Sequence, residues 1–392
     1  MFKDRYLHQP IASDLREKMV FIGGPRQVGK TTLAQSIGEG EYEKYTYFNW
    51  DNRQHRKAIL SGVWEADSKL VVFDEIHKYK SWKSYIKGEY DLHKKDFHIL
   101  VTGSARLDLY RRGGDSLMGR YHHYRLHPFS LAEALAQKTK IIPGKAIPFT
   151  ENASQTLTHF SDILRFGGFP ETFLKRNLRT LRRFHNERTE RLIREDIRDV
   201  EAIRDLSALQ VLVELLPGKV GSLFSLNSLR EDLQVTHKTL SHWVDILERF
   251  YYHFRIYPFA ATPIKSLRKE PKLYLWDWSQ VENEGARLEN MVASHLLKMV
   301  HFLEDTEGHR VQLWFLRDLD GRETDFLVTA DRKPWFAVEV KSSDLDISKP
   351  LLYFKERLKI PFIYQVTRET GQDFMKKGVR LISADKFLAH LV

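Results

Sequence analysis

Residues 24–31 read Gly-Pro-Arg-Gln-Val-Gly-Lys-Thr, a loop bracketed by glycines that ends in a lysine and a hydroxyl. Glycines let backbone N–H groups turn inward on an anion, and a following helix adds the positive end of its dipole. The spacing GxxxxGK[ST], after the apolar run MVFI and before a helical stretch, predicts a phosphate cradle. Gly24, Pro25, Arg26, Gln27, Val28 and Gly29 would form its backbone, with Thr32 beside it. Lys30 would reach the β- and γ-phosphates, and the Thr31 hydroxyl would bind Mg²⁺. A second site element is Asp74-Glu75, which closes the apolar run LVVF. Asp74 would hold Mg²⁺ through water, and Glu75 would polarise the attacking water. After HILV, Thr102 or Ser104 would orient that water or the γ-phosphate. Arg111, Arg112 and Arg120 are candidates for an arginine supplied to a neighbouring subunit's transition state.

A second group of chemistry-bearing residues lies near the C-terminus. Asp325 sits on one alternating stretch, and Glu339-Val340-Lys341 sits on the next. Side chains alternate across a strand, so Glu339 and Lys341 share a face. An Asp followed by ExK is the layout of the PD-(D/E)xK nucleases, in which carboxylates hold Mg²⁺ and the lysine steadies a water or developing charge. At helical spacing Glu289 stands among Gly285, Val292, Ala293 and Leu296. A carboxylate on such a face demands a cation or a donor, so Glu289 joins Asp325 and Glu339 as a candidate metal ligand. Gln365 is a possible accessory group.

Between these lies a helix–turn–helix pattern, LNSLREDL followed by VTHKTL. Leu240, Trp243, Val244 and Leu247 form one apolar face of the second helix. Lys238, His242 and Arg249 lie on the other face, where a recognition helix would meet a DNA groove. Asp245 and Glu248 are expected on the exposed side, where they would repel phosphates. The stretches FYYHFRIYPF and KLYLW, joined by the basic segment 265–269, would form a wing. The same architecture also serves as a protein–protein module or a lid extension.

The elements that must position these groups follow from apolar periodicity. KMVFIG, YTYFNW, KLVVF and HILVT are short buried runs separated by helical segments, the pattern of a parallel α/β sheet. Residues 1–150 form this core. Residues 151–204 are helical and basic, as a lid would be, residues 205–275 carry the helix–turn–helix and wing, and residues 276–392 open with a helix before alternating strands.

GPRQVGKTT, VVFDEIHK, VTGSA, MGRYHHYRLHPFSLAE and FGGFPE together resemble the AAA_14-type bacterial and archaeal ATPases that carry a C-terminal DUF4143 region. The resemblance covers nearly the whole chain. It implies an α/β fold: an AAA+ P-loop NTPase core with a helical lid, then a winged-helix module and a restriction-endonuclease-like α/β domain. It also implies ATP as the nucleotide.

The composition is compatible with that expectation. The chain has 392 residues, 42% hydrophobic, with 62 Lys plus Arg against 52 Asp plus Glu and a net charge of +10. Such a balance suits a polyanionic partner, DNA first. The absence of cysteine excludes disulfides and cysteine-bound zinc and fits a reducing cytoplasm. The charged N-terminus shows no signal peptide, and no apolar run has the length of a membrane span, so no membrane role is expected. The sequence thus points to a Mg²⁺-dependent ATPase that acts on DNA, branched or ended DNA included. A neighbouring subunit's arginine would require a ring or closed dimer. The alternative is a regulatory ATP switch whose C-terminal modules bind protein partners and cut nothing.

Overall fold

The computed structural model describes the chain except for residues 1–4, 63–64, 66, 104–116, 152–155, 198–202, 204, 261–268 and 344–345. It comprises two compact units, Met1–His127 and Pro128–Val392.

In the first unit, α1 (His8–Asp14) precedes β1 (Met19–Gly23) and α2 (Lys30–Glu41). There follow β2 (Tyr45–Asn49), α3 (Arg53–Ser61), β3 (Leu70–Asp74), α4 (Trp82–His93), β4 (His98–Thr102) and β5 (Tyr121–Arg125). All strands are parallel in the order β2-β3-β4-β1-β5. Every residue of β1 and β3 is buried, as expected of a sheet covered on both faces. Met19, Phe21, Val71, Phe73, Ile99 and Val101 join Trp82 and Ile86 of α4 in a core on one face. The strand β5, YHHYR, has no apolar run to announce it. It is an edge strand beside β1, and only Tyr124 is fully buried.

The second unit begins with α5 (Leu131–Ala134), α6 (Thr156–Phe166), α7 (Pro170–Lys175), α8 (Leu178–Arg191) and α9 (Leu206–Leu215). Then come α10 (Leu226–Leu233), α11 (His237–Arg249) and the antiparallel pair β6 (His253–Ile256) and β7 (Lys272–Leu275). Residues 220–224 flank the free side of β7: Gly221 N–H donates to Leu273 O at 3.2 Å and Phe224 N–H to Pro271 O at 2.8 Å. The long helix α12 (Glu284–Glu307) leads into β8 (Val311–Arg317), β9 (Glu323–Ala330) and β10 (Lys333–Lys341). Next are α13 (Lys349–Leu358), β11 (Phe362–Thr367), β12 (Asp373–Lys376), β13 (Val379–Ser383) and α14 (Ala384–Ala389). The six strands order as β12-β13-β11-β10-β9-β8, parallel only between β10 and β11 and between β11 and β13. The chain after β6 bonds onto this sheet, since Phe259 N–H donates to Phe315 O at 2.8 Å.

Residues 128–150 are anchored in this second unit. Trp335 Nε1 donates to Lys145 O at 2.7 Å, and the Ile147 N–H reaches the Tyr364 hydroxyl at 3.3 Å. The HPFSLAE segment forms a capping box between Ser130 and Glu133. Lys298 of α12 buries its ammonium on Glu133, with Ser130 Oγ at 3.0 Å and Pro128 O at 3.2 Å. Phe129 N–H donates to Gly168 O at 2.7 Å, which ties FGGFPE to the same junction. The segments that make the family resemblance specific are therefore packing elements here.

Candidate functional site

The loop between β1 and α2 has the backbone its glycines require. Gly24 has φ +139°, and a Cβ there would meet Leu126 O at 2.5 Å, so neither the conformation nor the space admits a side chain. Gly29, at φ 98°, precedes α2, whose first turn has no side-chain cap. A helix start that its own N-cap leaves uncapped is a place where N–H groups can meet a phosphate. Lys30 is buried and donates to Gly24 O at 3.0 Å and Pro25 O at 2.7 Å. From behind, Arg5 donates to Val28 O at 2.8 Å and to His127 O at 2.5 Å.

Asp74, at the end of β3, is almost fully buried, and its carboxylate accepts from neutral groups. Thr31 Oγ1 donates at 2.9 Å, Tyr47 Oη at 2.7 Å and Asn49 Nδ2 at 3.5 Å, and Thr102 Oγ1 donates to its other oxygen. Tyr47 and Asn49 escaped sequence reading, although both lie on β2, whose pairing sets Asn49 opposite Asp74. Burial, and then the bond to Asp74, raises the Tyr47 pKa well above its ordinary value.

Thr102 was expected at the water or the γ-phosphate. Its hydroxyl instead orients Asp74, because β3 and β4 pair with Asp74 opposite Thr102. Glu75 follows with φ 58°, in the left-handed region. Its carboxylate lies 3.4 Å from Lys78 Nζ and 3.6 Å from His77 Nε2, and is partly exposed. Arg120 forks onto Asp91 of α4, with Nε 2.8 Å from one oxygen and Nη2 3.2 Å from the other. Ser104, Arg111 and Arg112 lie outside the described residues.

In the second unit, Glu289 lies near the start of α12, Asp325 near the start of β9, and Glu339 and Lys341 at the end of β10. Lys272, the first residue of β7, inserts its ammonium among the carboxylates. It lies 2.7 Å from Glu323, 3.4 Å from Asp325 and 3.5 Å from Glu289. Tyr274, two residues on and so on the same face of β7, donates to Glu289 Oε1 at 2.8 Å. Gly221 makes room: a Cβ there would touch both Glu289 oxygens at 3.1 Å. Asp325 Oδ2 accepts the Val340 N–H at 2.9 Å. Glu339 pairs with Lys341 at 2.9 Å and accepts from Ser348 Oγ at 3.2 Å. Its other oxygen, Oε2, is buried without a hydrogen-bond partner.

Among the described residues, no group of three or more His, Asp or Glu is placed to hold a metal ion. The expected metal set Glu289, Asp325 and Glu339 is therefore not gathered into such a group among the described residues. In this arrangement an ammonium supplies the positive charge for Glu289 and Asp325, while Glu339 turns to Lys341. Burial, and then the neighbouring Asp325, raises the pKa of both Glu289 and Glu339 above the ordinary 4.5. Gln365, opposite Glu339 on β11, bonds Ser348 N–H and Asp346 O at 2.9 Å each and so braces the segment before α13.

On α11, Leu240, Trp243, Val244 and Leu247 are buried, while Lys238, His242 and Arg249 are exposed. The expected repulsion from Asp245 and Glu248 is reduced by Arg255 of β6. Its Nη2 lies 2.7 Å from Asp245, and its guanidinium also contacts Glu248, with Nε at 3.0 Å from that carboxylate. The segment 265–269 falls largely outside the described residues.

The parallel sheet, the glycine-built loop and the contact between Thr31 and Asp74 define a P-loop nucleotide-binding protein. Residues 16–135 match the AAA_14 family, described as an AAA domain. Residues 157–281 and 284–387 match DUF8612 and DUF4143, both domains of unknown function. The first unit is thus similar to AAA domains, and the C-terminal part of the chain to the DUF4143 domain. It is 23% identical over 362 residues to the uncharacterized protein MJ1544 of Methanocaldococcus jannaschii, covering 87% of this chain and 79% of that protein. Over 408 residues it is 22% identical to the uncharacterized protein Rv2008c of Mycobacterium tuberculosis, covering 96% and 84%. Among solved structures it is similar to the Thermotoga maritima RuvB Holliday junction branch migration motor. That likeness has a TM-score of 0.29 and 17% identity over 67% of this chain and 93% of that one, too loose to carry a functional inference. No helix among the described residues is long and apolar enough to cross a membrane.

Proposed function

We propose that the protein is a Mg²⁺-dependent ATP hydrolase that contacts DNA through residues 205–275 and does not cut it. The first part rests on the 2.9 Å bond between Thr31 and Asp74, the two groups that would hold the metal. Bound Mg²⁺ would neutralise charge on the β- and γ-phosphates. The Lys30 ammonium would leave the carbonyls of Gly24 and Pro25 for those phosphates. Glu75 would accept a proton from the attacking water, a role worth roughly 10²–10⁴ in rate. Tyr47, Asn49 and Thr102 would keep Asp74 aimed. An arginine from a second copy, in a ring or closed dimer, would complete the charge stabilisation. For Arg120 that role requires release from Asp91, so Arg111 and Arg112 stand equally.

The DNA reading is supported by the helix–turn–helix geometry of α10 and α11 followed by the β6–β7 pair, a winged-helix arrangement. On it Lys238, His242 and Arg249 face solvent, and Arg255 neutralises the adjacent acids. The non-cleaving reading is favoured by the Lys272 ammonium among carboxylates of the C-terminal sheet and α12. The reaction would take place in a reducing cytoplasm.

Phosphate release from Mg·ATP tests both parts. The full chain should turn over ATP, Lys30→Ala should not, and DNA should stimulate the rate. That stimulation should fade between about 50 and 200 mM salt as counterion release weakens binding. Turnover indifferent to every nucleic acid would favour the regulatory switch with protein partners.

A further inference from the structure

The carboxylates Glu289, Asp325 and Glu339 have the spacing expected of a nuclease-like metal set, yet the geometry around them is that of an ion cluster with lysine and arginine already in place. Lys272 is 2% exposed, and its ammonium is within 3.5 Å of Glu289, Asp325 and Glu323. Its ammonium also stands over the Phe315 ring, with Nζ 5.8 Å from the centroid. The lysine comes from β7, held in place on one side by residues 220–224 and on the other by β6. It is therefore a positioned group and not a surface side chain that has folded inward.

Among the described residues the charges nearly balance without a metal. Four carboxylates (Glu289, Glu323, Asp325 and Glu339) face three cations (Lys272, Lys341 and Arg317), with Arg317 Nη1 2.7 Å from Glu323. A dication placed between Glu289 and Asp325 would lie against the ammonium that already bonds both. Like charges so close in a site largely shut from water repel strongly. Removing a buried charge's partner leaves the remaining charges uncompensated. Among the described carboxylates of the cluster, Glu339 Oε2 is buried without a hydrogen-bond partner, and it marks where a cation would settle if Lys272 were gone.

We infer that Lys272 is the resident cation of this cluster: its ammonium stands where a nuclease fold would hold a divalent metal, and it joins the β6–β7 pair to the C-terminal sheet. The cluster is a metal-excluding joint, and Lys272 is a positioning residue that decides this. Tyr274 and Gly221 serve the same joint, the first by donating to Glu289 and the second by leaving space for it.

The test is Mn²⁺ binding, followed by the electron paramagnetic resonance signal of the free ion. It uses the full chain carrying Asp74→Asn, so that the nucleotide site loses the carboxylate that would hold the metal and the ATPase reading is not at stake. That protein is expected to bind no Mn²⁺ up to about 1 mM, well above the micromolar range of typical protein affinities. Adding Lys272→Met should create one site per chain, at least tenfold tighter than this limit, and Asp325→Asn should remove it again. One Mn²⁺ bound to the parent protein and lost with Asp325→Asn would overturn the inference. So would a folded Lys272→Met protein that binds no Mn²⁺, since the lysine would then not be standing in for a metal. If Lys272→Met does not fold, as judged by circular dichroism, the parent protein with and without Asp325→Asn still decides the matter.

Discussion

Asp74 and Asp325 are both partly or wholly buried carboxylates on strands of a sheet, and they are satisfied in opposite ways. Asp74 accepts from three hydroxyls and an amide, all neutral, which orient its charge. Asp325 shares the Lys272 ammonium with two glutamates. Neutral donors can hold a carboxylate ready for a cation that arrives with a ligand. A tethered lysine removes the need for one. The difference separates a site prepared for chemistry from one that resembles such a site by residue type alone.

The contrast can be broken at either end, and the largest effect is expected at the nucleotide site. Lys30→Ala should abolish ATP turnover with the thermal midpoint little changed; residual phosphate release near the wild-type rate would remove the site from the account. Next, Lys272→Met should destabilise the second unit by about 3–5 kcal/mol, the cost of stripping one partner from a buried ion cluster. Chemical denaturation measures it, and a change under 1 kcal/mol would mean that solvent already screens these charges.

The titration of the cluster gives a smaller effect with a definite sign. Glu289 faces Lys272, Tyr274 and Asp325, and Glu339 faces Lys341, Ser348 and Asp325. Both folded-state pKa values are raised, so the folded chain holds protons that the unfolded chain has released. The stability they contribute is fully present below pH 4.5 and is lost as the pH rises toward neutrality. Wild type should therefore lose more thermal stability between pH 5 and about 8 than Glu289→Gln/Glu339→Gln does. Equal slopes would contradict the raised values. Smallest, Tyr47→Phe removes one hydrogen bond to Asp74 and should cost about 1 kcal/mol in stability.

Much of the first site was legible in the sequence because it is local. Gly24 to Thr31 is a continuous stretch, and Asp74 and Thr102 end apolar runs that become β3 and β4. The partners missed were those fixed by pairing between strands, as with Tyr47 and Asn49, or by a distant segment, as with Arg5. The edge strand β5 was missed because an edge needs no apolar run. In the second unit ExK, Asp325 and Glu289 could be found from alternation and helical spacing. The demand of Glu289 for a cation or donor was also legible, but not the identity of either. Lys272 and Tyr274 share a face of KLYLW, which was the available signal. A lysine alternating with buried residues on a short strand has to find acid somewhere. Which acid depends on β7 meeting α12 and β9, a tertiary contact that periodicity does not encode.

The most direct test of this contrast is Mg²⁺-dependent phosphate release from ATP by Asp74→Asn set beside Asp325→Asn, each in the full chain. Asp74→Asn is expected to fall to background while Asp325→Asn stays within about twofold of wild type, since substitutions outside a reacting centre leave its transition-state interactions intact. Release that survives Asp74→Asn, or that vanishes only with Asp325→Asn, would contradict the assignment of chemistry to the first site and charge balance to the second.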